Sequence, residues 1–554
     1  MTDNSDRRAL LAIILSLGVY FVWSAFFAPP PPVGPPAEPT APIAAEPDAA
    51  GTTAGPATAS APAVTPGLAA PEPDIPEHAE DLTTATWGAQ VSSRGGALGE
   101  VALADFRKPK VVVPLWEWGL ARVTGKAESG WEPYTGGEDP YGLLEGGGLG
   151  LAGAGDLADS GNFQVTRSGD VVTAQRRRAD GLVITTTYTP GEGPYSLDVT
   201  VQYDNGTGKP VGDLWVGVAE PMSGEAGRFL NAVRPLVHSD GDVEHVEDLE
   251  DLDGSANERF EGPIQWYGVG DRYFMAVLVP DADPGAVVTV DTLPDGRTGA
   301  FWVQSQTLDA GASRTVKFTS YLGPKDLDLL KPLGHDLADA VEFGIFGLFS
   351  KLLLFLLELF QGFVVNWGVA IILLTFLVKL AFFPLTQRAF KSSRKMQALQ
   401  PRLNAMREKY KDNQQLQTEE TMKLFKEHGV NPLGGCLPTL IQLPVWFALY
   451  NTMLYSVEIY DTSFAYLQDL TAVDPYGIIP TLYAGLMIGQ QRMMPMGSMD
   501  ETQQKVLKAM PLIFAFFMFS FPSGLVLYFI VNMSLTILQQ WWIKRTIKDV
   551  PAAA

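Results

Sequence analysis

Lys379 is the residue that asks for an explanation. It sits in "FLVKLAFFPLTQR", residues 376–388, at the end of an apolar run long enough to enter a lipid bilayer, nine residues before Arg388. An ammonium in hydrocarbon costs several kcal/mol unless it faces the inside of a helix bundle, a watery cavity or the interface. Thr375 lies one helical turn away on the same face. Other apolar segments carry Gln442, Gln490, Gln491, Asn532, Ser534, Thr536, Gln539 and Gln540, polar groups that lipid cannot satisfy. Two readings follow. Lys379 could snorkel toward the interface along ~13 Å of helix, or it could join the other polar side chains around a shared hydrophilic recess. Such a recess could lower the cost of bringing a polar segment into the bilayer, with Lys379 attracting acidic residues of a passing chain.

Other chemistry is sparse. His78, His238, His245, His335 and His428 all fall outside the apolar segments, so the serine of "FPSGL" at 521–525 has no base within reach and reads as part of a turn. "GLGLAG" at 148–153 has G-x-G-x-x-G spacing but reads as a glycine-rich loop without the strand-to-helix context of a nucleotide site. "HSDGDVEHVEDLEDLD" at 238–253 reads as a solvated acidic loop rather than a cation site. The one cysteine, Cys436, excludes an intramolecular disulfide framework and a Cys-based zinc site. Neither nucleotide nor metal is expected.

The elements that would position Lys379 belong to a divided chain of 554 residues. Residues 1–330 hold 21 Lys and Arg against 46 Asp and Glu, whereas 331–554 hold 19 against 16, so the net charge of −22 comes from the first part and nucleic acid is not an expected partner there. Residues 9–28 follow Arg7 and Arg8 and are long enough to span the ~30 Å hydrocarbon core. They read as an uncleaved anchor (1–28) rather than a signal peptide, since Phe26 and Pro29 flank the only reasonable cut badly. A Pro- and Ala-rich tether follows (29–80), too poor in large apolar residues to fold. From 81 to 330, runs such as "GLVITTTYTP" and "SLDVTVQYDNGTG" alternate with period two between "DNG" and "PDG" turns, which predicts an all-β sandwich.

Residues 331–367 predict an amphipathic helix at the interface, broken by "NWG" at 366–368. Spans are then expected at about 368–387, 433–456, 475–494 and, divided at "FPSG", twice within 506–543. With the anchor this gives six. Loop charge agrees: 388–430 carries ten Lys and Arg, 457–474 carries none, and the next loop and the tail are basic again. Both termini are therefore expected in the cytoplasm and the acidic β domain outside. Within the basic loop Met396, Leu399, Leu403, Met406 and Tyr410 recur at helical spacing, which predicts a helical hairpin over 388–430. Its apolar stripe can pack the hairpin on itself or receive partner proteins.

"NPLGGCLPTLIQLPVWFALY" at 431–450, "FPSGLVLYFIVN" at 521–532 and "TFLVKLAFFPLT" at 375–386 closely resemble the YidC/Oxa family of membrane protein insertases. The anchor, tether and β domain resemble the Gram-negative arrangement. This resemblance implies a polytopic α-helical membrane protein of the bacterial inner membrane: six transmembrane helices, five of them forming an insertase core (368–548), a short tail (549–554) and a large periplasmic β-supersandwich. It implies a positively charged groove open to cytoplasm and lipid, lined by Lys379, Thr375, Gln442, Phe529, Asn532 and Gln539. Lys379 stands where the family usually has arginine, so a bidentate guanidinium pairing is lost, and Phe529 stands where close relatives often carry tyrosine. Implied partners are newly made inner-membrane proteins, the Sec translocon, the signal recognition particle pathway and the bilayer itself. No enzymatic activity and no cofactor is implied, and direct ribosome tethering through the short tail is not expected. A solute channel or transporter is the alternative of a different class, which a continuous pore or an internal repeat would favour; a chaperone that folds already inserted proteins is a third reading.

Overall fold

Two strands of alternating burial set the logic of the first half. In Ser196–Asn205, Leu197, Val199, Val201 and Tyr203 are buried while Asp198 and Gln202 are exposed, and Val171–Arg177 alternates likewise. Period-two burial buries one face of a strand, and the buried faces must meet. A computed structural model describes residues 75–546 apart from 109–110, 113, 116–133, 136, 158–160, 222–231, 247–257, 282–285, 305, 411–412, 429–436, 494–508 and 510–512. The anchor, nearly all of the tether and the tail expected from the sequence lie outside the described residues.

Two nine-stranded antiparallel sheets form the β domain. The first runs Ala79–Thr83, Trp87–Ser92, Leu98–Arg107, Gly148–Ala154, Leu214–Pro221, Arg297–Gln304, Ala286–Thr292, Glu258–Phe260, with Pro140–Leu143 beside Leu98–Arg107. The second runs Asp242–His245, Arg234–Ser239, Ile264–Gly270, Phe274–Pro280, Ser313–Pro324, Ser196–Asn205, Leu182–Pro190, Val171–Arg177, Gln164–Ser168. Tyrosines of the second sheet cross the core and donate to carbonyls of the first: Tyr188 to Leu149 (3.1 Å), Tyr203 to Trp215 (2.7 Å) and Tyr267 to Val216 (3.0 Å). Each buries a ring and still satisfies its hydroxyl. "PDG" closes the hairpin of Ala286–Thr292 and Arg297–Gln304. "DNG" does something else: it ends a strand of one sheet, and the chain continues into Leu214–Pro221 of the other.

Two expectations are corrected here. "GLGLAG" is no loop but the fully buried strand Gly148–Ala154. Its glycines give no apolar alternation to read, yet they are what lets large rings lie on the strand: a Cβ on Gly153 would sit 2.2 Å from the Trp215 indole. The acidic segment is likewise no loop in its first part, where 234–239 and 242–245 form a hairpin with His238 buried in it.

The chain leaves the sandwich through α1 (Leu327–Leu333), capped by Asp326, and enters the helical part at α2 (Gly347–Val364). Ser350, Leu353, Leu354 and Leu357 face inward at helical spacing, while Phe349, Leu352, Phe355 and Phe363 are exposed. After the break at "NWG" come α3 (Trp367–Ala381), capped by Asn366, and α4 (Phe383–Ala398). The straight span expected over 368–387 is instead bent by 60° at Phe382. Pro384 explains it, lacking an N–H and clashing with the carbonyl four residues back. The hairpin continues as α5 (Gln400–Lys409) and α6 (Gln414–Glu427), followed by α7 (Leu437–Tyr455), α8 (Ile478–Met493) and α9 (Ser523–Thr546). "FPSG" does divide the last apolar region, with helical residues 513–518 before it and α9 after it. Among the described residues, two helices are by themselves long and apolar enough to cross a membrane, α2 and α9, and the bent pair α3–α4 makes a third candidate.

The loop 456–477 docks on the sandwich. Tyr460 donates to the Arg107 carbonyl (2.7 Å) and packs its ring on Tyr141, Tyr273 and Phe274. Asp474 of the same loop accepts from Ile479 N at the start of α8 (2.8 Å).

Candidate functional site

Lys379 lies near the end of α3, one turn before the bend. Its Nζ donates sideways to α9, to Thr536 Oγ1 (2.6 Å) and Asn532 Oδ1 (3.2 Å). Asn532 and Thr536 are four residues apart and so share a face. Asn532 Oδ1 also accepts from Gln442 Nε2 of α7 (3.2 Å), and the same amide donates to Tyr528 OH (3.1 Å). Three helices thus meet in one polar track, from Lys379 through Asn532 to Gln442 and Tyr528. Lys379, Gln442, Asn532 and Thr536 are half-buried. Both acceptors of Lys379 are neutral oxygens, so its charge is left uncancelled by them.

The remaining sequence candidates distribute around this track. Gln539, one turn along α9, pairs with Thr386 of α4 through Nε2 (3.0 Å) and extends the polar line toward the helix end. Thr375 is buried and donates to the Ile371 carbonyl (2.7 Å), as a helical threonine can without any tertiary partner. Phe529 belongs to an aromatic cluster with Trp446 (5.8 Å), Tyr483 (5.7 Å) and Tyr528 (5.5 Å) beside the track. Tyr528 was missed as a site residue. Its signal was the spacing 528, 532, 536, one face of a helix read in an otherwise apolar segment.

The hairpin stripe packs inward. Leu399 and Leu403 are buried against Phe425, with Met406 and Leu424 at the edge of that small core. Tyr410 closes the end, with the Lys409 ammonium 5.3 Å from its ring centre; Met396 belongs to α4, and its side chain lies outside the described residues. Among the described residues of the hairpin, the large apolar side chains Leu416 and Met422 of α6 are exposed.

A β-sandwich joined to apolar helices, two of them among the described residues long and apolar enough to cross a membrane, defines the class as a membrane protein with a large β domain. The comparisons with known proteins say which. A family model described as the 60Kd inner membrane protein matches residues 359–550, and one described as the YidC periplasmic domain matches 81–356. The membrane protein insertase YidC of Geobacter metallireducens is 33% identical over 560 residues, covering 99% of this chain and 100% of that protein; the one from Anaeromyxobacter dehalogenans is 33% identical, covering 99% of each. A solved structure, "Active YidC insertase crystal structure with the first transmembrane domain resolved", is 20% identical, covers 87% of this chain and 96% of its own, and has a TM-score of 0.37. The chain belongs to the YidC family of membrane protein insertases, inner-membrane proteins with a periplasmic β domain that are not enzymes.

Proposed function

We propose that this protein integrates inner-membrane proteins by accepting the polar part of a substrate at the track around Lys379 while the substrate's apolar segment enters lipid. The observation that carries this is the pair of bonds from Lys379 to Thr536 and Asn532, which fix a cation between helices with neutral partners only. An acidic N-terminal tail arriving from the cytoplasm is drawn to that charge, and Gln442, Asn532 and Gln539 offer replacement hydrogen bonds for the water it leaves. Thr375 and Phe529 shape the wall. Burial of ~20 apolar residues and the membrane potential, about 2.3 kcal/mol per charge per 100 mV, then drive release into the bilayer.

In the same reading the protein has six spans with both termini in the cytoplasm, five of them forming the core at 368–548, and α2 lies at the interface with its exposed Phe and Leu side chains in lipid. The hairpin meets substrates and the signal recognition particle pathway, for which the outward Leu416 and Met422 are the available apolar contacts, and the β domain contacts the Sec translocon. The test is insertion of a small single-span substrate with an acidic tail into proteoliposomes holding only this protein. Lys379→Glu is expected to abolish insertion and Lys379→Ala to slow it. Insertion indifferent to both changes would remove Lys379 from the mechanism.

A further inference from the structure

A cavity of about 620 Å³ opens between α3, α4 and α9, with no residue of α7 or α8 in its wall. Its lining includes Leu380, Phe383, Leu538, Trp541 and Trp542, and its two polar members are already engaged: Lys379 turns its amine to Asn532 and Thr536, and Gln539 pairs with Thr386. What the cavity presents is therefore hydrocarbon, including the methylene stem of Lys379. Leu380 and Leu538 are 71% and 57% exposed, so the slot is open at its side. At one end the Arg545 guanidinium lies 3.9 Å over the Trp541 ring. Stacking occupies the flat face of the guanidinium and leaves the N–H edge free to point outward. Arg545 is exposed.

We infer that this slot binds one anionic phospholipid, an acyl chain lying along Leu380 and Leu538 and the headgroup phosphate on Arg545. The chemistry selects this occupant. A pair of indoles marks interface depth, an apolar slot running inward from there accepts an acyl chain, and a basic group at the mouth between helices is the recognition element for acidic headgroups. A headgroup with its own ammonium would set that cation against Arg545, so phosphatidylglycerol is favoured over phosphatidylethanolamine. The bound chain would also seal the wall behind Lys379, leaving the polar track open only on its other side.

The experiment uses the full chain in nanodiscs of equal parts phosphatidylglycerol and phosphatidylethanolamine, with retained lipid read by native mass spectrometry. Phosphatidylglycerol is expected to be enriched about fivefold, the preference of one surface arginine. Arg545→Gln should lose that enrichment, and Leu538→Trp, which fills the slot, should lose the bound lipid itself. A photoreactive residue at Leu538 should label phospholipid. Equal retention of both lipids by the unaltered protein, enrichment unchanged in both variants, or photolabelling of a substrate span or of residues 9–28 instead of lipid would each overturn the inference.

Discussion

Asn532→Leu is the sharpest test of the polar track, because one oxygen serves two donors on two different helices, Lys379 and Gln442, each at 3.2 Å. A charge-assisted bond is worth about 1.5–3 kcal/mol and a neutral one about 0.5–1.5, so a fully buried oxygen would be worth up to ~4.5 kcal/mol. The structure argues for less. Lys379 keeps Thr536 at 2.6 Å, Gln442 keeps Tyr528 at 3.1 Å, and the group is half-buried. Side-chain hydrogen bonds between membrane helices average ~0.6 kcal/mol by double-mutant cycles, which brings the expected loss to about 1–2 kcal/mol. The assay is reversible unfolding in mixed micelles of the unaltered protein, Asn532→Leu, Gln442→Leu and the double variant. A coupling of ~0.5 kcal/mol or more between Asn532 and Gln442 is expected for direct partners. Strict additivity would refute the bond, and with it the claim that the track runs unbroken from Lys379 through Asn532 to Gln442.

Four further outcomes follow. Burial, and then the neighbouring Asp271 carboxylate, push the Glu220 carboxyl up to about 8; the native state holds a proton that the unfolded chain releases near 4.5, so stability is expected to fall as pH rises from about 4.5 to 8, and Glu220→Gln should flatten that slope in chemical denaturation. Gly153→Ala puts a methyl 2.2 Å from the Trp215 ring and is expected to cost about 1–3 kcal/mol, read as a lower Tm. Tyr460→Ala removes the bond to Arg107 and three ring contacts, a loss on the scale of about 3–5 kcal/mol for a large aromatic; limited proteolysis should then cut the loop 456–477 faster, whereas Tyr460→Phe should change it little. Leu403→Asp buries a carboxylate among Leu399 and Phe425 and should open the hairpin to protease between α4 and α6, with the β domain staying intact.

The sandwich was legible because alternation is a local property: each strand of the Ser196–Asn205 kind displays its buried face in its own residue order. The helical part was legible for the same reason, since hydrocarbon demands long apolar runs and "NWG" and "FPSG" carry their own turn chemistry. Gly148–Ala154 was not, because the side chains that bury it, Tyr188 and Trp215 among them, come from elsewhere in the chain. Nor was the 60° bend foreseen, although Pro384 announced a possible break.

The site divides along the same line. That a lysine, several amides and two threonines lie in apolar segments is written in the sequence, and the price of leaving them in lipid says that they must find partners. Which partners they find is decided by tertiary packing: Lys379 and Asn532 are separated by 153 residues and meet because α3 lies against α9. The register of two packed helices depends on side chains of both at once, so no single segment encodes it. Tyr528 joins the track for that reason, and the slot beside it exists only once α3, α4 and α9 have come together, whereas Thr375 turns back on its own helix through a purely local bond.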